Sequence, residues 1–291
     1  MKTYTIKDFE KQFPNEDTCL EFLFKARFPK GVYCQKCQKV TTHYRITNRK
    51  VYSCNFCGSH ISPTAGTIFH KSETPLRSWF HAIFLMASTK TGISAKQLER
   101  ELGVTYKTAW RVFNQVRKLM AEDVNPLVGQ VEVDETYIGG KRRGKRGRGA
   151  LGKSVVMGLV ERKGNAIAKV VPNVKANTLL PMIEKRVTKE NKTIIFTDEL
   201  PSYSQIERLG YAHAIVQHSA KQYVSGIAHV NTVESLWSNI KRGIDGVNHS
   251  VSPFYLQSYL DSYVYRYNHR KDEQPMFLSL LNQVSQVVRI S

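Results

Sequence analysis

Three acidic residues stand in settings that suit metal-dependent chemistry. Asp134 lies within an apolar run at 131–138, Asp198 directly follows a second apolar run at 193–197, and Glu234 is near the start of a predicted helix. Two-metal phosphoryl transfer needs carboxylates from different elements, which hold two divalent cations roughly 3.5–4 Å apart, astride the attacking and leaving oxygens. Magnesium suits such a site because it prefers oxygen ligands and keeps part of its water shell.

Other acidic residues adjoin these three. Glu132 and Glu135 flank Asp134, and we expect both to be surface residues on the opposite face of the strand. Glu199 follows Asp198 and could be a turn residue or an outer partner of the site. Glu234 alone could be an ordinary charge on a helix surface. The three acids taken together favour catalysis.

The charge of the chain indicates its partner. The 291 residues carry 43 Lys plus Arg against 24 Asp plus Glu, a net charge of +19. Phosphate neutralisation makes nucleic acid the first candidate partner, and a membrane surface is the plainer alternative. We see no apolar run of the ~18–20 residues that a membrane span requires and no secretory signal at the N-terminus. We therefore expect an intracellular protein that has nucleic acid, and no membrane, as its partner.

Four of the five cysteines form two pairs with metal-ligand spacing. The motifs Cys34-x2-Cys37 and Cys54-x2-Cys57 are separated by 16 residues. This pattern is typical of a tetrahedral four-thiolate zinc site, which is structural because no coordination position stays open. Disulfides are the alternative, and a reducing cytosol disfavours them. Cys19 stands among apolar residues and is expected to be a buried thiol.

A helix-turn-helix pattern follows the cysteines. Ser94 is a plausible N-cap for a helix at 95–102, Gly103-Val104 fits the turn, and Thr105 would cap a second helix from Tyr106 to about Met120. A supporting helix is predicted at 76–87. In such a motif the second helix enters the major groove, and a plain helical hairpin is the alternative. Four basic residues are expected to face outward from the second helix: Lys107, Arg111, Arg117 and Lys118.

The pattern changes from helical to strand-like near residue 125. Strands are predicted at 131–138, 154–160, 166–171 and 193–197, with a further strand near 211–216, and helices at 177–187 and around Glu234. After the first strand comes a glycine-rich basic tract that we expect to grip phosphates, although a solvated hairpin tip is possible. Its basic residues are Lys141, Arg142, Arg143, Lys145, Arg146 and Arg148.

This order of elements predicts an α/β fold of the ribonuclease-H-like class. It would have a mixed five-stranded sheet with helices, in which the first strand is central and lies beside the fourth. The near-continuous apolar character of both strands agrees with burial on both faces. We divide the chain into an N-terminal helix and zinc ribbon at 1–72, a helix-turn-helix region at 73–125, and a catalytic domain with C-terminal helices at 126–291.

These motifs together resemble a known family. Residues 131–141 (VEVDETYIGGK), 196–198 (FTD) and 229–238 (HVNTVESLWS), extended by 62–69, 241–244 and 265–270, are similar to bacterial insertion-sequence transposases of the DDE type. The chain resembles in particular the Merlin-related group with an N-terminal zinc ribbon and a helix-turn-helix. The resemblance covers nearly the whole chain. It implies binding to inverted-repeat ends, cleavage there, and joining to target DNA.

The resemblance also implies residue roles. Asp134, Asp198 and Glu234 would hold two Mg²⁺ (or Mn²⁺) ions. Asn231 is an alternative third position, because some relatives use asparagine, but a neutral amide is a weaker metal ligand. Lys241, about two helical turns after Glu234, would act at the DNA end near the scissile phosphate. Asn231 and Arg242 are further expected DNA contacts, in addition to Lys107, Arg111 and the basic tract.

Alternative functions remain open on the sequence. A zinc ribbon, a helix-turn-helix and a basic charge would also make a DNA-binding regulator derived from a transposase, without catalysis. A structure-selective nuclease could use the same metals without joining strands. The resemblance to transposases further implies double-stranded DNA as the partner, both as element ends and as target, and a cytoplasmic protein that associates with the bacterial nucleoid when bound to DNA. Acting on two DNA ends implies a homodimer or higher assembly on DNA.

Overall fold

The computed structural model describes residues 4–139, 152–189, 193–216 and 229–285. The chain divides into two compact units, one of Met1–Leu119 with Lys271–Ser291 and the other of Met120–Arg270. Within the described part of the chain, no helix combines the length and apolar character that crossing a bilayer requires.

A five-stranded mixed sheet forms the centre of the second unit. Its strands are β6 (Gln130–Ile138), β7 (Ser154–Glu161), β8 (Ala166–Val171), β9 (Ile194–Thr197) and β10 (Ala212–Ile215). Their spatial order is β10-β9-β6-β7-β8, with β9 parallel to β6 and to β10 and with β7 antiparallel to both its neighbours. The first strand of the unit is therefore central and lies beside the fourth, which confirms the predicted ribonuclease-H-like sheet. The five strands that precede β6 in the chain belong to the first unit.

Helices cover both faces of this sheet. On one face α6 (Ala176–Arg186) buries Leu179 and Ile183 against Val131 and Val133 of β6. On the other face lie α7 (Asn231–Gly243) and α8 (Pro253–Asn268), whose apolar side chains surround Phe196. Because side chains alternate along a strand, even-numbered positions of β6 face α7 and odd-numbered positions face α6.

Helices α1–α5 and α9 build the first unit. They are α1 (Ile6–Gln12), α2 (Glu16–Arg27), α3 (Leu76–Ser88), α4 (Ala95–Leu102), α5 (Tyr106–Leu119) and α9 (Met276–Ser285). The predicted helix pair is confirmed down to its caps. Ser94 Oγ accepts from the Gln97 amide at 3.1 Å, Gly103 ends α4 in the left-handed conformation, and Thr105 Oγ1 accepts from the Thr108 amide.

The last helix differs from the sequence-based division. The sequence groups α9 with the catalytic domain, whereas α9 packs against α2, α3 and α5 in the first unit. Its buried residue Phe277 joins an aromatic cluster with Phe9, Phe13 and Phe84. The apolar face of α9 thus completes a core to which distant N-terminal helices contribute, and no local pattern indicates that pairing.

Short antiparallel strands form the zinc ribbon of the first unit. The strands β1 (Val32–Cys34) and β2 (Lys39–Thr41) form a two-stranded sheet. The strands β3 (His43–Arg45), β4 (Tyr52–Cys54) and β5 (His60–Ile61) form a three-stranded sheet. Each cysteine pair lies at the end of a strand and in the turn that follows it. Phe24 of α2 stacks on Tyr52 with ring centroids 3.9 Å apart.

Candidate active site

The pairing of β6 with β9 places Asp134 and Asp198 at the same level along two neighbouring strands. The last pair of this parallel ladder is Glu132 with Phe196. Asp134 and Asp198 each lie two residues beyond that pair, one still within β6 and the other just after β9. Asp198 Oδ1 accepts a hydrogen bond from the Leu200 amide at 3.0 Å, which fixes the turn after β9.

Helix α7 reaches the same place through Trp237. The indole Nε1 of Trp237 donates to Asp134 Oδ2 at 2.9 Å. The indole ring lies against Gly158, which pairs with Asp134 across β6 and β7, and a Cβ at that glycine would come within 2.4 Å of the ring. Glu234 lies three residues before Trp237, nearly one helical turn, and its side chain is exposed. Gly158 thus allows α7 to approach the strand that carries Asp134.

The environment of Asp134 disfavours its ionised form. Burial, followed by the neighbouring Glu135 and Asp198 carboxylates, raises the pKa of Asp134 to about 7, while the Trp237 hydrogen bond acts in the opposite direction. Asp134 and Asp198 are therefore close enough to repel each other when both are ionised. A bound cation would relieve that repulsion.

The three acids do not form a closed ligand cluster. Among the described residues, one group of possible ligands has all its ligand atoms within 4.8 Å of one another, and it consists of the four cysteines. Glu234 lies on the exposed side of α7, as do Asn231 and Lys241. The sheet register brings Asp134 and Asp198 together, and α7 carries Glu234 on the same helix as the tryptophan that contacts Asp134.

The prediction that Glu132 is a surface residue is wrong. Glu132 shares a strand face with Asp134, because the two are separated by two positions, and its side chain is completely buried. Its carboxylate accepts hydrogen bonds from the backbone amides of Thr232 and Val233 at 2.7 and 3.0 Å. The alternation of the strand was a sufficient signal for the shared face, whereas the burial depends on α7.

The surface prediction for Glu135 is also wrong. Glu135 does lie on the face opposite to Asp134, but α6 and the turn after β9 cover that face, so only 9% of the residue is exposed. Its Oε2 accepts from the hydroxyl of Tyr203 at 3.0 Å. Burial, together with the Glu135 carboxylate, raises the pKa of Tyr203 well above its ordinary value. Tyr203 therefore links the segment after Asp198 to β6, the strand that carries Asp134. The sequence does not indicate this contact.

The four cysteines have the geometry of a zinc site. Cys34 Sγ and Cys57 Sγ lie 3.5 Å apart, and Cys37 Sγ and Cys54 Sγ lie 3.9 Å apart. Tetrahedral zinc with Zn–S bonds of about 2.3 Å separates its sulfur ligands by roughly 3.8 Å. The residues thus fit a structural Zn²⁺. Cys19 is a free buried thiol outside this group, and burial raises its pKa to about 12.

The predicted DNA contacts occupy different settings. Lys107 and Arg111 are exposed on α5, and the Arg111 guanidinium donates to the hydroxyls of Ser72 and Thr74. Arg242 is exposed near the end of α7. The six basic tract residues all lie outside the described residues: Lys141, Arg142, Arg143, Lys145, Arg146 and Arg148.

The prediction that Arg117 faces outward is wrong. Only 1% of this residue is exposed, and its guanidinium lies 4.4 Å from the ring centre of Phe113. Phe113 is four positions earlier and hence on the same helix face. A planar guanidinium can pack on an aromatic ring, so Arg117 belongs to the core of the first unit. Lys118 is exposed, as predicted.

Two family models match the chain. The ISXO2-like transposase domain matches residues 126–268, and the transposase zinc-ribbon domain matches residues 14–60. A protein of transposable element ISH50 from Halobacterium salinarum is 29% identical over 276 residues, covering 88% of this chain and 92% of that protein. A transposase-like protein of Haemophilus influenzae is 27% identical over 115 residues, covering 40% of this chain and 89% of that protein.

Among solved structures, a pre-cleavage Mos1 transpososome chain aligns with a TM-score of 0.32 and 11% identity, covering 71% of this chain and 75% of that chain. The two domain matches and the sheet topology agree with the family that the motifs indicate. The chain therefore belongs to the insertion-sequence transposases that carry an N-terminal zinc ribbon and an ISXO2-like transposase domain.

Proposed function

We propose that this transposase cuts DNA at the inverted-repeat ends of its element and joins those ends to target DNA. Asp134, Asp198 and Glu234 act as the ligands of two Mg²⁺ (or Mn²⁺) ions. The observation that carries the proposal is the register of β6 and β9, because it sets Asp134 and Asp198 two residues beyond the same strand pair. Two carboxylates side by side on neighbouring strands, one within β6 and one just after β9, are a suitable base for a two-metal site.

The chemistry of the donor set supports the metals. All three side chains offer carboxylate oxygens, which Mg²⁺ prefers. Burial is the main cause of the raised pKa of Asp134, and the neighbouring Glu135 and Asp198 carboxylates raise it further, which a bound cation would offset. When bound, two divalent cations activate the attacking oxygen and stabilise the charge on the leaving oxygen. The four cysteines bind a structural Zn²⁺, which takes no part in the reaction.

Both proposed reactions are displacements at phosphorus. In cleavage, the oxygen of water attacks phosphorus, the bond to the 3′ oxygen breaks, and that oxygen takes up a proton, which leaves a 3′ hydroxyl and a 5′ phosphate. In joining, the 3′ hydroxyl loses its proton and attacks a target phosphodiester, which releases the target's own 3′ hydroxyl. The carboxylates orient the reacting groups, and no covalent bond to the protein forms.

Basic side chains of this chain would hold the DNA. Lys241 follows Glu234 by seven residues, about two helical turns, so both lie on one side of α7. An ammonium group there can stabilise charge at the scissile phosphate. Arg242 and Asn231 extend the contact along α7, α5 offers Lys107 and Arg111, and the basic tract at 141–148 grips phosphates. Two ends require at least a dimer on DNA.

The test is a cleavage and strand-transfer assay. The substrate is a plasmid that carries the genomic DNA flanking both sides of the coding sequence, incubated with Mg²⁺ or Ca²⁺. We expect Asp134→Asn and Glu234→Gln to abolish cleavage and joining while end binding persists. Glu207→Gln, an exposed carboxylate of the same unit, is the matched control and should retain both products. Calcium should support binding without cleavage.

Each contrary outcome has a defined meaning. Cleavage that survives Asp134→Asn would refute the metal-site assignment. Loss of products in Asn231→Ala, with activity retained in Glu234→Gln, would move the third position to Asn231. Cleavage without joining would identify a nuclease. Binding without either product, and without dependence on metal, would identify a DNA-binding regulator.

A further inference from the structure

A buried ion pair, formed by Glu132 and Arg162, involves the strand that carries Asp134. Glu132 is completely buried, and Oε1 of its carboxylate accepts from Nε of Arg162 at 2.7 Å, with the arginine side chain only 11% exposed. The other oxygen, Oε2, accepts from the amides of Thr232 and Val233. The N-cap residue of α7 is Val230, whose side chain cannot accept a hydrogen bond. Glu132 therefore satisfies the amides that the start of a helix leaves free, and its charge suits the positive end of the helix dipole.

The arginine of this pair reaches two further elements. Nη2 of Arg162 donates to the carbonyl oxygen of His229, just before α7, at 2.7 Å. The guanidinium also lies 4.0 Å from the ring centre of Phe196, a completely buried residue of β9. Arg162 itself follows directly after β7. One side chain thus contacts the strand that leads to Asp198 and the segment that leads to Glu234.

The contacts of the pair fall at matching positions before the acids. Glu132 lies two residues before Asp134, and Phe196 lies two residues before Asp198. Thr232 and Val233 lie two and one residues before Glu234. The three elements that carry the acids therefore meet at this one ion pair.

We propose that the Glu132–Arg162 pair is a positioning device that fixes α7 relative to β6 and β9 and so sets the separation of the metal-binding carboxylates. The proposal rests on the proposed function, since it assumes that these carboxylates bind divalent cations. A buried ion pair is a weak source of stability, because desolvation of both charges offsets their attraction. Its directional hydrogen bonds do fix how neighbouring elements meet. Residues that orient metal ligands from behind commonly change metal affinity by about 10–100-fold when mutated.

The central variant is Glu132→Gln, which keeps the side-chain shape and one acceptor oxygen but removes the charge. We expect the Mn²⁺ concentration that gives half-maximal cleavage to rise by about 10-fold or more, with DNA-end affinity within about twofold of wild type. Hydrogen exchange of the amides in 229–237, measured without DNA or Mn²⁺, should accelerate, because the first turn of α7 loses a charged acceptor.

A matched control separates positioning from stability. Gln257 of α8 hydrogen-bonds the backbone of β8 at Val170 and Ala168, so it joins a helix to the same sheet away from the acids. Gln257→Ala should lower the unfolding temperature without shifting the Mn²⁺ dependence. Arg162→Lys retains the positive charge and tests the pair if Glu132→Gln does not fold. It should shift the Mn²⁺ dependence in the same direction.

Two results would overturn the proposal. One is an equal Mn²⁺ shift in Glu132→Gln and Gln257→Ala, which would assign the pair to general stability. The other is unchanged exchange of the 229–237 amides in Glu132→Gln. Wild-type protein that neither cleaves DNA nor binds Mn²⁺ would instead refute the proposed function, and the positioning role would fail with it. Failure of the positioning role alone leaves wild-type cleavage intact.

Discussion

The zinc ribbon and the acidic site draw their side chains from the sequence in opposite ways. The four cysteines come from two Cys-x2-Cys turns within 34–57, and their sulfur atoms all lie within 4.8 Å of one another. The three acids come from β6, the end of β9 and α7, in a span from residue 134 to residue 234, and they form no such cluster. Local turns are enough for the first site, whereas the second depends on sheet register and helix packing.

The supporting contacts follow the same division. Within the ribbon, the Ser59 hydroxyl lies 3.2 Å from Cys34 Sγ and the Thr41 hydroxyl lies 3.3 Å from Cys54 Sγ, so the partners are near in sequence. At the acidic site, Asp134 is contacted by Trp237, about one hundred residues later. Damage to the ribbon should therefore stay local, while the acidic site should respond to changes in elements distant in sequence.

The largest effect is expected from removal of one zinc ligand. Cys54→Ser should abolish stoichiometric zinc and unfold the ribbon strands, since structural zinc supplies about 10–16 kcal/mol of apparent binding free energy in small zinc domains. Zinc per chain is measured by elemental analysis, and hydrogen exchange compares residues 32–61 with residues 130–171. Cys19→Ala, at a buried cysteine outside the zinc group, should retain zinc. Equal loss of protection in 130–171 would contradict the local character of the ribbon.

A smaller effect is expected where α7 meets the sheet. Gly158→Ala would place a methyl group 2.4 Å from the Trp237 ring, and such overpacking typically costs about 1–3 kcal/mol. The free energy of unfolding should fall by that amount, and indole fluorescence should change as Trp237 moves from Asp134. Gly246→Ala is the matched control, because a Cβ there meets no atom within 4 Å. A Gly158→Ala protein with unchanged stability and fluorescence would show that the Trp237 ring does not pack closely on Gly158.

Local signals explain what the sequence predicted well. The helix pair 95–102 and 106–119 follows from the caps Ser94, Gly103 and Thr105, and each cap acts within a few residues. The order of strands and helices predicted that β6 and β9 are neighbouring central strands, and the sheet confirms this arrangement. The zinc cysteines were predictable for the same reason, because short turns hold each pair.

Tertiary contacts explain what the sequence predicted poorly. From strand alternation we predict Glu132 at the surface, and from helical spacing we predict Arg117 there, yet both are buried. Glu132 is buried because the start of α7 supplies its amides, and Arg117 because Phe113 supplies a ring. Alternation in fact puts residues two positions apart on one face, so the predicted opposite face for Glu132 is wrong. The sequence could not indicate that α7 covers Glu132, because that contact joins residues one hundred positions apart.

The smallest effect concerns the charge of Asp134 itself. Its pKa is raised from the ordinary 3.8 to about 7 by burial and by neighbouring carboxylates. A group with a raised pKa in the folded state binds its proton more tightly when folded, so its stabilising contribution is lost as pH rises from about 4 to about 7. Without added magnesium, Asp134→Asn should therefore raise the unfolding temperature more at pH 8 than at pH 5. We expect a difference of about 2–4 °C, which corresponds to roughly 1 kcal/mol for a domain of this size.

The matched control for this titration is Asp123→Asn. Arg186 holds the pKa of Asp123 below its ordinary value, so this carboxylate is ionised at both pH 5 and pH 8, and its removal should have the same effect at both. The zinc ribbon holds its thiolates around one metal, whereas at the second site the Glu135 and Asp198 carboxylates add to the rise in the pKa of Asp134, which a bound cation would offset. If pH changed the effects of Asp134→Asn and Asp123→Asn equally, the ionised Asp134 carboxylate would not destabilise the folded protein. The acidic site would then not differ from the zinc site in its electrostatics. A rise in unfolding temperature that occurs only in Asp134→Asn at pH 8, and that added magnesium abolishes, would support repulsion among the acids that a cation relieves.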